Sequence, residues 1–276
     1  MSAQTVVPPS SGGLLFDAAL TSRQDLGAYP YQINTGLSPI TGRPRALLMD
    51  DPVHGSARTV LRMASDQSAD HDGHPSLRVQ CETETFIRSA RHGHIGDIYY
   101  AGFALFLPDE FRDLAETDWL TIGAGAYGSP YGGSGPLSLG LRPTADVGGE
   151  HRLVLADRPE LLGEVVVPRG RWIDIVMGFR LAYAENGGWL SVWMNTGEGW
   201  GNLAVLGEDR ASYDALSEGV NDAWHRDENR SPNSSRIGVY GNQPNTLLHG
   251  WHRIGHTFSD AMPNSHPGSP LPEKVQ

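Results

Sequence analysis

Three features of the sequence predict an all-β protein built from two antiparallel sheets. Its 276 residues include 34 glycines and 19 prolines, with charged residues at only 19%, which fits a turn-rich chain of short strands better than a helical bundle. Apolar side chains recur with period two in segment after segment, the repeat of a strand buried on one face. Turn clusters separate nearly all of these segments, and the helices that a parallel α/β sheet needs between strands are missing. With 39% hydrophobic residues the chain has ample material for a core, which sets aside disorder and small disulfide scaffolds.

Residues 1–13 and 262–276 are punctuated by Pro, Ser and Gly and read as tails around one domain over 14–261. The segment SLRVQCETE places Arg78, Gln80 and Glu82 on one side. YYAGFALFLP is an apolar strand ending in a Leu-Pro corner; the loop DEFRDLAETD follows, and WLTIGAGAYG resumes the strands. In PLSLGLRP, Leu137, Leu139 and Leu141 oppose Ser138, Gly140 and Arg142. After HRLVLA and EVVVP comes RWIDIVMGFRLA, where Ile173, Ile175, Met177, Phe179 and Leu181 share a core face and Trp172, Asp174 and Arg180 the other. In GWLSVWMN, Leu190, Val192 and Met194 oppose Trp189, Ser191, Trp193 and Asn195. Residues 207–235 are the longest irregular stretch, with one short helix expected around 213–216. SRIGVYGN then sets Arg236, Gly238, Tyr240 and Asn242 on one side, and the last strand segment lies near LLHGWHRIGHTF.

The non-core sets contain Arg, Gln, Glu, Trp, Asn and Tyr. A sandwich with one polar, aromatic outer face explains them, and such a groove suits an extended sugar chain. An ordinary solvated face is the plainer reading, because antiparallel sheets commonly wet one side. The grouping predicts that Arg78, Gln80, Arg142, Trp193, Asn195 and Tyr240 share one sheet face; Arg180, Arg236 and Asn242 complete the candidate binding set.

Charge narrows the partners. The net charge is -11, Lys274 is the only lysine and no basic run occurs, so nucleic acid is not expected. No apolar run approaches the roughly 20 residues of a membrane span, and the first residues lack the basic and apolar regions of a signal peptide. The single Cys81 forms no internal disulfide and reads as a small buried hydrophobe. His249, His252 and His256 are spaced for zinc only on a helix; on a strand, their spacing scatters the rings to opposite faces. The loop SDQSADHDGHP has oxygens suited to calcium but lacks EF-hand spacing, and reads as a solvated turn. Neither a Gly-x-Ser-x-Gly elbow nor a P-loop is present. Trp189, Trp193 and Trp200 are candidates for stacking on sugar rings, although Trp193 in its hairpin is equally a structural residue.

Four segments carry a likeness to one family. SLRVQCETE is similar to an Arg-Ser-Glu-Leu-Arg strand, with Arg78 at the first arginine and Glu82 at the second; YYAGFALFLPDEF matches the strand and corner that follow it. Residues 170–195 are similar to a G-W-D-x-V … G-x-L-x-V-W-x-N-G hairpin, the most specific stretch. Residues 234–243 match a Tyr-Phe-Lys-x-Gly-Val-Tyr-x-Gln strand, with Tyr240 at the catalytic tyrosine, Arg236 in place of lysine and Ser234 in place of the first tyrosine. Together, over roughly residues 75–260, they resemble the concanavalin A-like β-jelly-roll polysaccharide lyases, the group of glucuronan, alginate and heparin lyases.

The resemblance implies a two-sheet jelly roll and a lyase that cleaves an acidic polysaccharide by β-elimination. It implies that Tyr240 transfers the proton, that Arg142, Gln80 or Arg78 meets the substrate carboxylate, and that His94 or His92 assists, with His54 a more distant candidate. One departure stands out: WLTIGAGAYG lacks the Gln-Ile-His that alginate lyases carry on this strand. No cofactor is assigned and structural calcium stays open; localisation stays open too, the substrate class pointing to an extracellular or virion-borne protein while no signal peptide is visible. Two other classes remain open: a non-catalytic sugar-binding module of this fold, and a glycoside hydrolase. The hydrolase needs two carboxylates in the cleft, for which only Glu82 and Glu84 come close.

Overall fold

The computed structural model describes residues 13–67, 77–83, 98–127, 137–144, 150–155, 162, 165–180, 189–206, 234–263 and 265–266. The expected two-sheet antiparallel β-jelly roll forms. Before residue 76, where the sequence pattern marks no strand, the chain forms β1 (Leu14–Ala18), β2 (Tyr31–Ile33), β3 (Ala46–Asp51) and β4 (Gly55–Ala64), with a short helix α1 (Arg23–Gly27). Next come β5 (Arg78–Glu82), β6 (Tyr99–Phe106), β7 (Leu120–Tyr127), β8 (Ser138–Pro143), β9 (His151–Leu155) and β10 (Val166–Val167). The chain continues through β11 (Trp172–Arg180), β12 (Trp189–Asn195), β13 (Trp200–Leu206), β14 (Ser234–Gly241) and β15 (Thr246–Gly255) to a single-turn helix α2 (Phe258–Ala261). The first sheet runs β13-β12-β11-β6-β15-β4-β3, with β1 also paired to β15; the second runs β10-β9-β8-β7-β14-β5-β2.

Between the sheets, the period-two sets meet as predicted: Leu139, Leu141, Ile173, Ile175, Phe179, Leu190 and Val192 are fully buried in one cluster. Cys81 lies in the same layer, where burial pushes its thiol up to about 12. It is therefore an inert core residue.

The two outer faces differ. On the first sheet every residue of β6 is buried, because the chain after β15 returns across this face. Phe258 of α2 packs edge-on to Trp193 and Trp200, with ring centroids at 5.2 and 5.0 Å, and lies 6.3 Å from Tyr100. The approach is close enough to demand glycine at 102, where a Cβ would sit 1.9 Å from the Ala261 carbonyl oxygen. Further along, Arg58 donates to Ser265 at 3.0 Å, and Asp174 accepts from Ser265 and the His266 backbone.

Trp193, Asn195 and Arg180 belong to this covered sheet, since β11 and β12 lie in it. They do not share a face with Arg78, Gln80, Arg142 and Tyr240. Alternation tells inward from outward along a strand but does not tell which of two sheets the strand joins. Trp193 is 1% exposed, and the Asn195 carboxamide oxygen is occupied by the backbone N–H groups of Gly197 and Gly199 at 2.8 and 3.2 Å.

Candidate functional site

The second sheet's outer face carries the remaining candidates, and strand register arranges them in rows. Tyr240 of β14 lies opposite Arg78 of β5 on one side and Thr121 of β7 on the other, and Thr121 lies opposite Gly140 of β8. One row deeper, Gly238 faces Gln80; one deeper again, Arg236 faces Glu82. At the near end of the ladder Arg142 lies opposite Arg152 of β9, and Trp119, the residue before β7, stands beside Asn242. Gly238 keeps the floor flat: its φ of +155° suits glycine, and a Cβ there would lie 2.3 Å from the Val79 carbonyl oxygen and 2.8 Å from the Gln80 side chain.

Tyr240 is the accessible member, 37% exposed. The Arg78 guanidinium lies over its ring at 5.7 Å, within cation–π range. The Trp119 ring meets it at right angles, centroids 5.0 Å apart. Trp119 is the site residue that the sequence reading passed over. Its one signal is position, since counting back from the core residue Leu120 turns it to the outer face.

The deeper rows are buried, and their side chains bond to one another. Arg236 pairs with Glu82 at 2.6 Å and donates to Gln80 Oε1 at 3.4 Å, and Ser234 donates to Glu82. Gln80, Glu82 and Arg236 are exposed by 4% or less. Arg236, proposed from sequence as a substrate contact, is thus a floor residue neutralised by Glu82. Four residues of strand also separate it from Tyr240, about 13 Å. Arg78 is the arginine beside the tyrosine.

Asn242 and Arg142 hold the turn that leads into β7. Asn242 Oδ1 accepts from the Trp119 N–H at 3.0 Å and its Nδ2 donates to the Thr117 carbonyl at 3.2 Å. Arg142 Nη1 donates to the Asp118 carbonyl at 3.1 Å. Asp118 closes the turn by accepting from the Ala115 N–H at 2.9 Å.

The histidines divide. His92 and His94 lie outside the described residues, as do Glu84 and the loop SDQSADHDGHP from residue 68 onward. His54 is away from the site, with Nδ1 2.8 Å from Asp51, which also accepts from Trp172 Nε1 at 3.0 Å and lies 3.4 Å from Arg58. A register shift in β15 between His249 and His252 turns both rings into the inter-sheet layer, where uninterrupted alternation would have opposed them. His249 Nε2 lies 3.4 Å from the Gly238 carbonyl; His252 lies 2.9 Å from Ser235 Oγ and 3.1 Å from the Tyr29 hydroxyl. Burial lowers His249 to about 4, and burial together with His249 lowers His252 to about 3. His256 turns to the Ile98 carbonyl at 2.9 Å, so the three rings do not converge.

Chemically, the outer face offers a half-exposed phenol, a guanidinium against it, an indole wall and further arginines, with Glu82 the one carboxylate on its strands among the described residues. No family model matches the chain, and no curated protein matches it. Solved structures with similar overall form include alginate lyase vAL-1 from Chlorella virus, 12% identical over 88% of this chain and 99% of that one, TM-score 0.40. The endo-1,3-beta-glucanase from Streptomyces sioyaensis is 12% identical over 90% of this chain and 98% of its own, TM-score 0.40. Lectin I-B4 from Griffonia simplicifolia is 10% identical over 82% and 98%, TM-score 0.33.

Proposed function

We propose that the protein is a polysaccharide lyase that cleaves a uronate-containing chain by β-elimination, with Tyr240 transferring the proton. The observation that carries this reading is the charge and exposure of the second sheet's outer face. Arg78, Arg142 and Arg152 stand on its strands, and its buried Glu82 is paired with Arg236, in a protein of net charge -11. Tyr240 rises from that face beside Arg78. Local positive potential, rather than total charge, governs the approach of an anionic polymer.

In this reaction the C5 proton leaves to a base, its electron pair forms the C4–C5 double bond, and the C4–O bond breaks with a proton delivered to the leaving oxygen. Negative charge develops on the carboxyl group as C5 is deprotonated, and preorganised cations there lower the barrier. Arg78 fills that role beside Tyr240, Arg142 serves the next sugar, and His92 or His94 supplies the partner for proton transfer. A hydrolase is disfavoured because Glu82 is buried and spent on Arg236.

The test is ultraviolet absorbance of the unsaturated uronate during incubation with glucuronan, alginate and heparin. Product is expected from the native protein and none from Tyr240→Phe, which keeps the ring and deletes the phenolic proton. A non-catalytic sugar-binding module is the second reading, favoured by the absence of an amide and histidine on β7. Polysaccharide binding without any absorbance change selects it.

A further inference from the structure

We propose that Trp119 and Tyr240 form an aromatic corner that seats one pyranose ring, making Trp119 the residue that binds the sugar at the reacting position. The inference rests on the reading of this face as a saccharide site and assigns the ring-holding subsite within it.

The geometry argues for a ligand with two kinds of surface. The two rings meet at 88° with centroids 5.0 Å apart, so a flat molecule lying on one ring abuts the other. Arg78 stands on the far side of the corner, over the Tyr240 ring. A pyranose has apolar C–H faces and a rim of hydroxyl groups, and a uronate adds one carboxylate to that rim. Its face suits an aromatic wall, and its rim suits a guanidinium and a phenol. A purely apolar ligand leaves the guanidinium unused; a simple anion leaves the indole unused.

The anchoring of Trp119 adds an independent argument. Three side chains, Asn242, Arg142 and Asp118, bond to the backbone of residues 115–119, and yet the indole that this held backbone sets against Tyr240 is only partly covered. An indole that served only to fill a core would be held by burial. Fixing a partly exposed ring in advance removes ordering cost from a later binding event. Two of the three anchors, Asn242 directly after β14 and Arg142 of β8, flank β7 on either side, so the corner moves with the sheet as a unit.

The experiment uses the full chain and tetramers of glucuronate, mannuronate and guluronate, with binding measured by calorimetry alongside the change in tryptophan emission. Trp119→Ala is expected to weaken binding of the best tetramer about tenfold or more, and Trp119→Phe to keep most of the affinity. Where the absorbance assay shows turnover, Trp119→Ala should raise KM with kcat little changed. Thermal unfolding of each variant checks the fold. Unchanged affinity in a folded Trp119→Ala protein overturns the corner, whatever the activity. Weakened binding in a protein that never yields unsaturated product upholds the corner and overturns the lyase reading. A native protein that binds none of the three tetramers overturns both.

Discussion

At the scale of the residue, the Glu82–Arg236 pair shows how a floor differs from a binding surface. Both side chains are buried, and the carboxylate takes the guanidinium at 2.6 Å as well as the Ser234 hydroxyl. Removing one partner of such a pair strands the other charge in low dielectric, typically at about 3–5 kcal/mol, whereas replacing both with apolar groups of similar volume costs far less. Glu82→Gln is therefore expected to lower stability in urea unfolding by about that amount, and the double change Glu82→Gln with Arg236→Met to recover much of it. Equal loss in both variants would refute the pairing argument. None of this was legible from the sequence, where Arg236 looked like a cation waiting for substrate. Its neutralisation depends on β14 pairing with β5 in one register, and period-two reasoning carries no information about register between strands. Trp119 escaped for a related reason: it opens WLTIGAGAYG, whose run of small residues after Ile122 leaves little alternation to sort, and only the neighbouring strand brings Tyr240 against it.

At the scale of the element, β15 sets the pH range of the fold. Its shifted register turns His249 and His252 inward, and burial holds them near 4 and 3 against about 6.5 in an unfolded chain. Below about pH 6.5 the unfolded chain therefore takes up protons that the native state refuses. The resulting stability is complete above that value and drains away as the pH falls toward 3–4. His151, also lowered by burial, acts in the same direction. Asp174 opposes them: burial beneath the returning chain raises it to about 6, so between about pH 4 and 6 the native state binds one proton that the unfolded chain releases. His249 and His252 against Asp174 leave a net difference of about one proton, or about 1.4 kcal/mol per pH unit in favour of unfolding on acidification, and His151 adds to it. Urea midpoints measured from pH 7 to 4 should fall accordingly, and His252→Gln should flatten the curve. A profile with no slope in that range would mean that the rings are hydrated in solution. The sequence showed the three histidines and excluded a helix for them, but the shift that reunites two of the rings is a local departure from alternation.

At the scale of the whole molecule, one outer face of the sandwich is covered around β6, β12 and β13 by the chain after β15, and the other is polar. Along the described residues of β5, β8, β11, β12 and β14 the sequence separated inner from outer residues correctly, β15 being the exception, and Ile173, Leu190 and their partners occupy the core as a consequence. It merged the two outer faces into a single groove because Trp193 and Tyr240 have the same chemistry and the same alternation. The structure separates them by the thickness of the core, about 10 Å between sheets, and that separation predicts independence. Gly102→Ala places a methyl where the Ala261 carbonyl oxygen now lies, so the chain after β15 must lift, drawing Phe258 away from Trp193 and Trp200. Overpacking and loss of these ring contacts should lower stability by about 1–3 kcal/mol, with a red shift in tryptophan emission as Trp193 meets water. Binding of an acidic tetramer at Tyr240 and Trp119, on the opposite face, should stay within twofold of native at temperatures where the variant is folded. Loss of binding in a variant that melts cooperatively would show that the two faces are coupled through the inter-sheet layer, with His249 beneath Gly238 as the contact to test next.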